Sequence, residues 1–218
     1  MSALPITTDV AARSWLQQMF SPTTAQWASL ETYVQLLHGA NQRQNLIAAS
    51  TLENTWARHI ADSAQLLLFD KSEGQGVWLD LGSGPGLPGL VIALLSERPI
   101  ILVESRALRC EFLSETVDTL GLAKQVQVAH IPIERLSAQE VATISARAFA
   151  ALPQLIAASA RFATSGTRWL LPKGRKAVNE LALLSRPWQK LFHVEQSVTE
   201  PSSGIIVGTG TVESWRKH

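Results

Sequence analysis

A glycine-rich segment is the first candidate for a ligand site in this chain. Four glycines fall within residues 82–89, directly after the apolar run at residues 77–81. Glycine adopts positive φ angles without strain and lets a bound molecule approach the backbone closely, whereas a plain tight turn needs only one or two such residues. The segment therefore predicts a ligand-binding loop that joins a strand to a helix.

The charge and proline content of this loop discriminate between two ligands. Gly84, Gly86 and Gly89 satisfy the G-x-G-x-x-G pattern, so NAD is one candidate. However, Asp80 would repel a pyrophosphate, and two prolines remove N–H donors that a phosphate would need. S-adenosylmethionine (SAM) has no phosphate and carries a sulfonium and an ammonium group, which suit an acidic residue. We therefore predict SAM as the cofactor, with contacts from the strand end and loop at Asp80, Gly82, Ser83, Gly84 and Gly86.

Residues after the next two predicted strands suit the remainder of such a cofactor. Glu104 ends the second strand, where a carboxylate can accept hydrogen bonds from both ribose hydroxyls; the alternative is a solvated acid at a strand end. Ile133 and Glu134 follow the third strand, where an adenine ring would lie. The side chain of Ile133 is suited to pack on the adenine ring. The backbone of Ile133 or the side chain of Glu134 is suited to hydrogen-bond to the polar edge of that ring.

Basic residues and one histidine are candidates for holding the acceptor. Arg147 follows the fourth strand, and its guanidinium can stack on a base, bind a phosphate or hydrogen-bond to the cofactor; a surface ion pair is the alternative. Arg58 and His59 are predicted to face the same cleft, although a purely structural role is the alternative for His59. Net charge is only +1, so any phosphate-binding face must be local. Candidate phosphate contacts on the carboxyl side of the sheet are Arg106, Arg109 and Lys173.

The elements that must position these residues alternate between strand and helix from residue 77 onward. Strands are predicted at residues 77–81, 100–103, 126–130, 141–146 and 167–171, and helices at 88–95, 107–120, 152–162 and 176–184. This alternation is typical of βαβ units and predicts an α/β fold with a mostly parallel sheet. Ligands bind beyond the carboxyl ends of strands in such a sheet. Two runs without an intervening helix predict an antiparallel edge hairpin, at residues 192–198 and 204–208.

The first 70 residues are predicted to form a helical cap that packs on this sheet. Thr24 is predicted to cap one helix and Thr51 to start another, since apolar residues follow each at helical spacing. A charged, glycine-containing break at residues 71–76 separates the two parts. We therefore divide the chain into a cap at residues 1–70 and a Rossmann-like domain at residues 71–218.

Composition excludes several other classes of protein. Hydrophobic residues make up 46% of the chain and charged residues 17%, which is sufficient for a substantial core. The single cysteine, Cys110, cannot form an internal disulfide, and its position on an apolar helical face predicts a core residue. The sequence shows neither a signal-peptide pattern nor an apolar run of about 20 residues that would span a membrane. We expect a soluble cytoplasmic monomer with no membrane contact and no metal site.

Several stretches of the chain resemble the RsmG (GidB) family of methyltransferases. The glycine loop alone indicates only a SAM enzyme, and its combination with ARHIADS and SARAFA makes the resemblance specific. A segment at residues 41–46, NQRQNL, is similar to an Asn-rich turn of the family. The matching stretches are ARHIADS at residues 57–63, LDLGSGPGLPGL at 79–90, ESRALRCEFL at 104–113, SARAFA at 145–150 and LPKG at 171–174.

This resemblance implies a fold, a reaction and a set of contacts. The family methylates N7 of a guanine in the 530 loop of bacterial 16S ribosomal RNA. The implied fold is a class I SAM-methyltransferase (Rossmann-like) sheet of seven strands with a helical cap, and the implied partner is 16S rRNA or a small-subunit particle. Cofactor contacts are implied at Gly82, Leu87, Glu104, Ile133, Glu134 and Arg147, and we include Ser105, which follows Glu104.

Guanine N7 has a lone pair and no proton, so its methylation needs alignment rather than a general base. Arg147 is accordingly predicted to position the reactants. No Asp/Asn-Pro-Pro-aromatic stretch, which exocyclic-amine methylation usually requires, follows the fourth strand, and Cys110 is not placed as a nucleophile. Two alternatives stay open: a SAM enzyme for another RNA or a small molecule, and a non-catalytic SAM-binding module. RNA-dependent methyl transfer from labelled SAM would distinguish them.

Overall fold

A computed structural model describes residues 5–71 and 74–212, so the ends of the chain and part of the predicted break at residues 71–76 lie outside the described residues. Its strands are β1 Trp78–Leu81, β2 Ile100–Glu104, β3 Val126–His130, β4 Val141–Ala146, β5 Ala163–Gly174, β6 Phe192–Gln196 and β7 Gly204–Thr209. They form one sheet in the order β3-β2-β1-β4-β5-β7-β6. The first five strands run parallel, and β7 pairs antiparallel with both β5 and β6. The predicted α/β class and the antiparallel edge hairpin are therefore confirmed.

Helices cover both faces of this sheet. They are α1 Asp9–Phe20, α2 Thr24–Asn41, α3 Asp62–Ala64, α4 Gly89–Leu95, α5 Ala107–Thr119, α6 Leu152–Ser159, α7 Ala177–Ala182 and α8 Arg186–Gln189. Shorter turns of 3-10 helix lie at Ala49–Asn54, Gln65–Phe69, Ile133–Arg135 and Ala160–Phe162, with a π-helical turn at Trp56–Ala61. The sequence did not separately predict α1 and α8.

The alternation of side chains along β1 explains how the sheet separates two cores. Trp78 joins a core shared with α4, α5 and the apolar faces of the N-terminal helices. Leu79 and Leu81 point to the opposite face and join a core that contains residues of α6 and the edge hairpin. The proposed cap thus contributes to the same hydrophobic core as one face of the sheet.

Two details of the cap differ from the sequence prediction. The N-cap of α2 is Thr23 rather than Thr24, because its hydroxyl accepts from the backbone of Gln26 while the Gln26 side chain accepts from the Thr23 backbone. Thr51 does not start a regular helix, since it lies inside a 3-10 turn where its hydroxyl donates to the carbonyl of Ala48. The π-helical turn that follows is of a kind often found at functional sites.

Candidate active site

Two cavities open at the carboxyl ends of the parallel strands, around the point where the strand order reverses. The smaller one, about 280 Å³ in volume, extends from Gly82 past Glu104 to Ile133, and we call it the nucleoside pocket. The larger one, about 600 Å³, lies between the cap and the ends of β4 and β5, and we call it the acceptor cavity. Among the described residues, the two that line both cavities are Ala148 and Phe149.

The glycine loop exposes one of its glycines to the nucleoside pocket. Gly82 has a φ of +63°, and a Cβ atom built on it would lie 2.5 Å from Cδ2 of Phe149. Gly84 has a φ of +57° but is buried, and a Cβ atom there would have no neighbour nearer than 3.8 Å. A side chain at position 82 would therefore collide with a neighbour at the pocket surface. At position 84 there is space for a side chain, and glycine is favoured there by the positive φ angle alone.

Several loop residues predicted to contact the cofactor lie beneath the pocket surface. Asp80 is fully buried and accepts hydrogen bonds from Ser145 Oγ at 2.6 Å and from the backbone N–H of Gly89 at 3.3 Å. Burial raises the pKa of Asp80 to about 6. Its position organises the loop and the start of α4. The other predicted residues that do not line either cavity are Ser83, Gly84, Gly86 and Leu87.

A tyrosine from the cap holds the outer side of the loop. Tyr33 lies on α2, is fully buried, and donates its hydroxyl hydrogen to the carbonyl oxygen of Pro85 at 3.0 Å. Burial raises the pKa of this hydroxyl above its usual range, so it remains a donor. Helical spacing alone placed Tyr33 on the apolar face of its helix, and no local signal revealed its contact 52 positions away.

Glu104 links the glycine loop to the end of β2. Its Oε2 accepts from the backbone N–H of Gly84 at 3.1 Å, and its Oε1 accepts from the N–H groups of Ser105 and Arg106. Arg109 Nη1 lies 3.6 Å from Oε2. A carboxylate has about four lone-pair sites, so capacity remains on Oε2 for a ligand hydroxyl. Glu104 thus lines the nucleoside pocket as a fixed, charged acceptor.

We expect Glu104→Ala to weaken SAM binding by about ten- to a hundredfold, because a charge-assisted hydrogen bond is worth roughly 1.5–3 kcal/mol. Isothermal titration calorimetry measures the effect directly. Glu115→Ala is the control, since Glu115 is exposed on α5 and lines neither cavity. A loss of less than about threefold for Glu104→Ala would assign this carboxylate to loop structure alone.

The acceptor cavity contains three ion pairs. Arg58 lies 3.3 Å from Glu200, Arg147 lies 3.5 Å from Asp62, and Lys173 lies 3.0 Å from Glu180, each measured between nitrogen and oxygen. Arg58, His59 and Arg147, which were predicted to face one cleft, all line this cavity. The pairing carboxylates were not predicted, although Asp62 lies within the ARHIADS stretch.

The remaining basic candidates differ in how accessible they are. Arg106 and Arg109 line the nucleoside pocket rather than the acceptor cavity. Lys173 lines the acceptor cavity, but its side chain is only 7% exposed, and its Nζ donates to the carbonyl of Ala150 at 2.5 Å. Glu180, its ion-pair partner, also accepts from the backbone N–H of Leu152. Lys173 thus ties the start of α6 to β5.

His59 is held as a neutral acceptor next to Arg147. Because Thr51 Oγ1 donates to Ala48, it accepts from His59 Nε2 at 2.8 Å, and this assigns the proton to Nε2. His59 Nδ1 then presents its lone pair to Arg147 Nη1 at 3.4 Å. Burial, followed by the charges of Arg147 and Arg58, lowers the pKa of His59 to about 3. The histidine orients the arginine and carries no positive charge near neutral pH.

This lowered pKa predicts a pH-dependent contribution to stability. Because the folded pKa of about 3 lies below the ordinary 6.5, the unfolded chain binds more protons between these values. Stability from His59 is therefore present above pH 6.5 and lost as the pH falls towards 3. Between pH 7 and pH 5 the loss should be about 2 kcal/mol. Urea denaturation of wild type and His59→Asn at both pH values measures it.

The comparison with a variant is necessary because Asp80 titrates in the opposite sense. Its pKa is raised from 3.8 to about 6, so its contribution to stability is lost as the pH rises through 6. The difference in unfolding free energy between wild type and His59→Asn removes this effect. A difference that stays constant between pH 5 and pH 7 would show that His59 is not held in the neutral form.

Comparisons with known proteins identify relatives across most of the chain. A family model described as GidB, rRNA small subunit methyltransferase G, matches residues 26–205. A protein named ribosomal RNA small subunit methyltransferase G from Sphingopyxis alaskensis is 63% identical over 93% of this chain and 86% of that protein. One of the same name from Novosphingobium aromaticivorans is 49% identical over 94% of this chain and 90% of that protein.

A solved structure shares the fold at low sequence identity. Geranyl diphosphate C-methyltransferase from Streptomyces coelicolor, in complex with Mg²⁺, geranyl diphosphate and S-adenosyl-L-homocysteine, superposes with a TM-score of 0.54 at 11% identity. The match covers 70% of this chain and 79% of that one. Within residues 5–71 and 74–212, no helix is long and apolar enough to cross a bilayer, and no three potential metal ligands cluster.

Proposed function

The chain belongs to the GidB family, rRNA small subunit methyltransferase G, and from this premise we propose that it methylates N7 of a guanine in the 530 loop of 16S rRNA. It is a SAM-dependent rRNA methyltransferase, and this general activity follows from the family. The atom that is methylated, the position in the RNA and the roles of individual residues are the proposal. Its support comes from the chemistry of the two cavities.

The residues that line the nucleoside pocket suit SAM in their chemistry. Gly82 presents a backbone without a side chain, Glu104 supplies a charged acceptor suited to ribose hydroxyls, and the buried Ile133 supplies an apolar surface for a purine ring. Glu134 lies beside it on the exposed side. When bound, SAM supplies an electrophilic methyl group. The residues of the pocket bind and orient that cofactor, while the buried Asp80 keeps the loop in place.

The observation that carries the N7 assignment is the state of the titratable groups in the acceptor cavity. Each carboxylate that lines the described part of this cavity forms an ion pair with a basic side chain; these carboxylates are Asp62, Glu180 and Glu200. His59 has a pKa of about 3, and its Nδ1 lone pair is directed at Arg147. These groups are poorly suited to remove a proton. An exocyclic amine or a hydroxyl loses a proton on methylation, whereas guanine N7 does not. The cavity therefore favours an acceptor that needs alignment only.

Arginines at the openings of the two cavities suit an RNA partner. Arg58 is 40% exposed at the acceptor cavity, and Arg106 is exposed at the nucleoside pocket. Planar guanidinium groups bind phosphate oxygens in pairs and stack on bases. Arg147 lies deeper, between Asp62 and His59, where it is suited to orient the base rather than to bind the outer backbone.

The experiment that tests the proposal locates the methyl group on the RNA. The enzyme is incubated with labelled SAM and either naked 16S rRNA or small subunits, and the RNA is then treated with borohydride and aniline. N7 methylation makes the guanine cationic and labile, so we expect chain cleavage at one guanine of the 530 loop. Incorporation of label without aniline cleavage would exclude N7, and cleavage elsewhere would exclude the proposed position.

A further inference from the structure

Phe149 lies at the boundary between the nucleoside pocket and the acceptor cavity. It belongs to the connection between β4 and α6, and its ring is packed against Gly82, with Cδ2 only 2.5 Å from the site of a Cβ atom there. The residue is nevertheless 36% exposed. An apolar ring thus covers the glycine whose missing side chain allows close approach by a ligand.

The two cavities have to communicate for methyl transfer to occur. The nucleoside pocket, at about 280 Å³, lies below the usual range of roughly 300–1,000 Å³ for ligand sites. The acceptor cavity begins on the other side of Ala148 and Phe149. The Phe149 ring therefore lies at the boundary across which a methyl group has to be transferred.

The backbone beside this ring is held in an unfavourable conformation. Ala148 has a φ of +54°, in the left-handed region that residues with a Cβ atom avoid. Such strain is typical of switch regions and ligand clamps. Ala148 and Phe149 are both exposed and lie outside any helix or strand, so few contacts oppose a change of backbone conformation. Relaxation of φ at Ala148 would redirect the next side chain, which is Phe149.

We propose that Phe149 is a substrate-positioning residue that is displaced by the cofactor. Its ring lies against Gly82 and lines both cavities, and SAM binding shifts it further towards the acceptor cavity, where it forms the apolar wall for the target guanine. Cofactor binding then builds part of the RNA site, so the two ligands bind with positive coupling. This inference rests on the proposed function, since it takes the acceptor to be a base.

Two binding measurements and one rate measurement on Phe149→Ala test the inference. S-adenosylhomocysteine should bind this variant about threefold more tightly than wild type or better, because no ring has to be displaced. In wild type, saturating S-adenosylhomocysteine should tighten binding of a 530-loop RNA by about fivefold or more, and the variant should lose this effect. The KM for RNA should rise by about tenfold through loss of the aromatic wall.

Two further variants separate positioning from a general effect on structure. Phe149→Tyr keeps the aromatic ring and should retain the wild-type coupling between the ligands. Leu183→Ala removes another exposed apolar side chain, on a residue that lines neither cavity, and should change nothing. A purely structural role for Phe149 would instead weaken S-adenosylhomocysteine binding in Phe149→Ala.

The inference is overturned if Phe149→Ala binds S-adenosylhomocysteine no more tightly than wild type, or if the cofactor product still tightens RNA binding to the variant. Failure of the proposed function would look different. Wild type would then produce methylated RNA that resists aniline cleavage, while the binding measurements on Phe149 would keep their predicted pattern. The two ideas are therefore tested by separate readouts.

Discussion

Alanine at position 82 should lower the affinity for SAM by about a hundredfold, because the added methyl group lies in the space that the cofactor has to occupy. This methyl group would lie 2.5 Å from Cδ2 of Phe149, on the surface of the nucleoside pocket. Calorimetric titration with SAM and with S-adenosylhomocysteine measures the loss, and circular dichroism checks that Gly82→Ala is folded.

Gly121→Ala is the matched control for this variant. Gly121 has a φ of +68°, close to the +63° of Gly82, but a Cβ atom there meets nothing within 4 Å. Both substitutions therefore carry the same backbone strain, about 1–2 kcal/mol, and only one fills the pocket. Gly84→Ala, within the loop but below the pocket surface, should retain more affinity than Gly82→Ala. Equal affinity for SAM in Gly82→Ala and Gly121→Ala would contradict the assignment of the pocket.

The grouping of Gly82, Glu104 and Ile133 could be predicted because it follows from topology alone. Each residue lies at or shortly after the carboxyl end of a strand, and parallel neighbours end at the same edge of the sheet, so all three line one pocket in the structure. The antiparallel direction of the two strands in the edge hairpin was predictable for a similar reason. Two strand-length runs without a helix between them cannot be parallel neighbours.

The surroundings of the charged residues could not be predicted in this way. Asp80 was predicted to contact the cofactor from the strand end, but its side chain is buried and accepts a hydrogen bond from Ser145 on the neighbouring strand. The partner of Arg58 is Glu200, 142 positions away on the turn between β6 and β7. Such pairings depend on tertiary packing, and local sequence patterns contain no information about them.

The predicted ends of helices and strands were wrong where side chains or strand pairing override the apolar pattern of the sequence. Thr51 was predicted to start a helix, yet its hydroxyl binds Ala48 and His59, and the backbone follows 3-10 and π-helical turns instead. Strand β5 is longer than predicted because its polar ends still pair with β4 and β7, out to Gly174. Apolar periodicity detects the buried centre of an element better than its ends.

Removal of Arg147 should reduce the turnover of RNA methylation by about a hundredfold or more, because misplacement of reacting groups by about 1 Å has effects of this size. The guanidinium lies between Asp62 at 3.5 Å and His59 Nδ1 at 3.4 Å, at the inner wall of the acceptor cavity. It cannot stabilise the cationic N7-methylguanine product, since like charges repel. Its contribution must come from alignment of the base or the cofactor.

Arg147→Ala should remain folded, because Asp62 keeps hydrogen bonds from Thr199 and Gln65 after the arginine is removed. Steady-state and single-turnover rates with SAM and 16S rRNA separate two roles. Loss of alignment lowers the single-turnover rate, whereas loss of a phosphate contact raises KM for RNA and leaves that rate unchanged.

Two further variants distinguish the planar group of Arg147 from its charge. Arg147→Lys keeps the charge but lacks the planar fork of donors, so its rate should lie closer to that of the alanine variant than to wild type. Arg186→Ala removes an exposed arginine that lines neither cavity, so it lowers the net charge equally and should leave the rate unchanged. A fully active Arg147→Ala enzyme would remove this residue from the site. Full activity of Arg147→Lys would reduce its role to that of a charge, because the lysine ammonium group lacks the planar fork of donors.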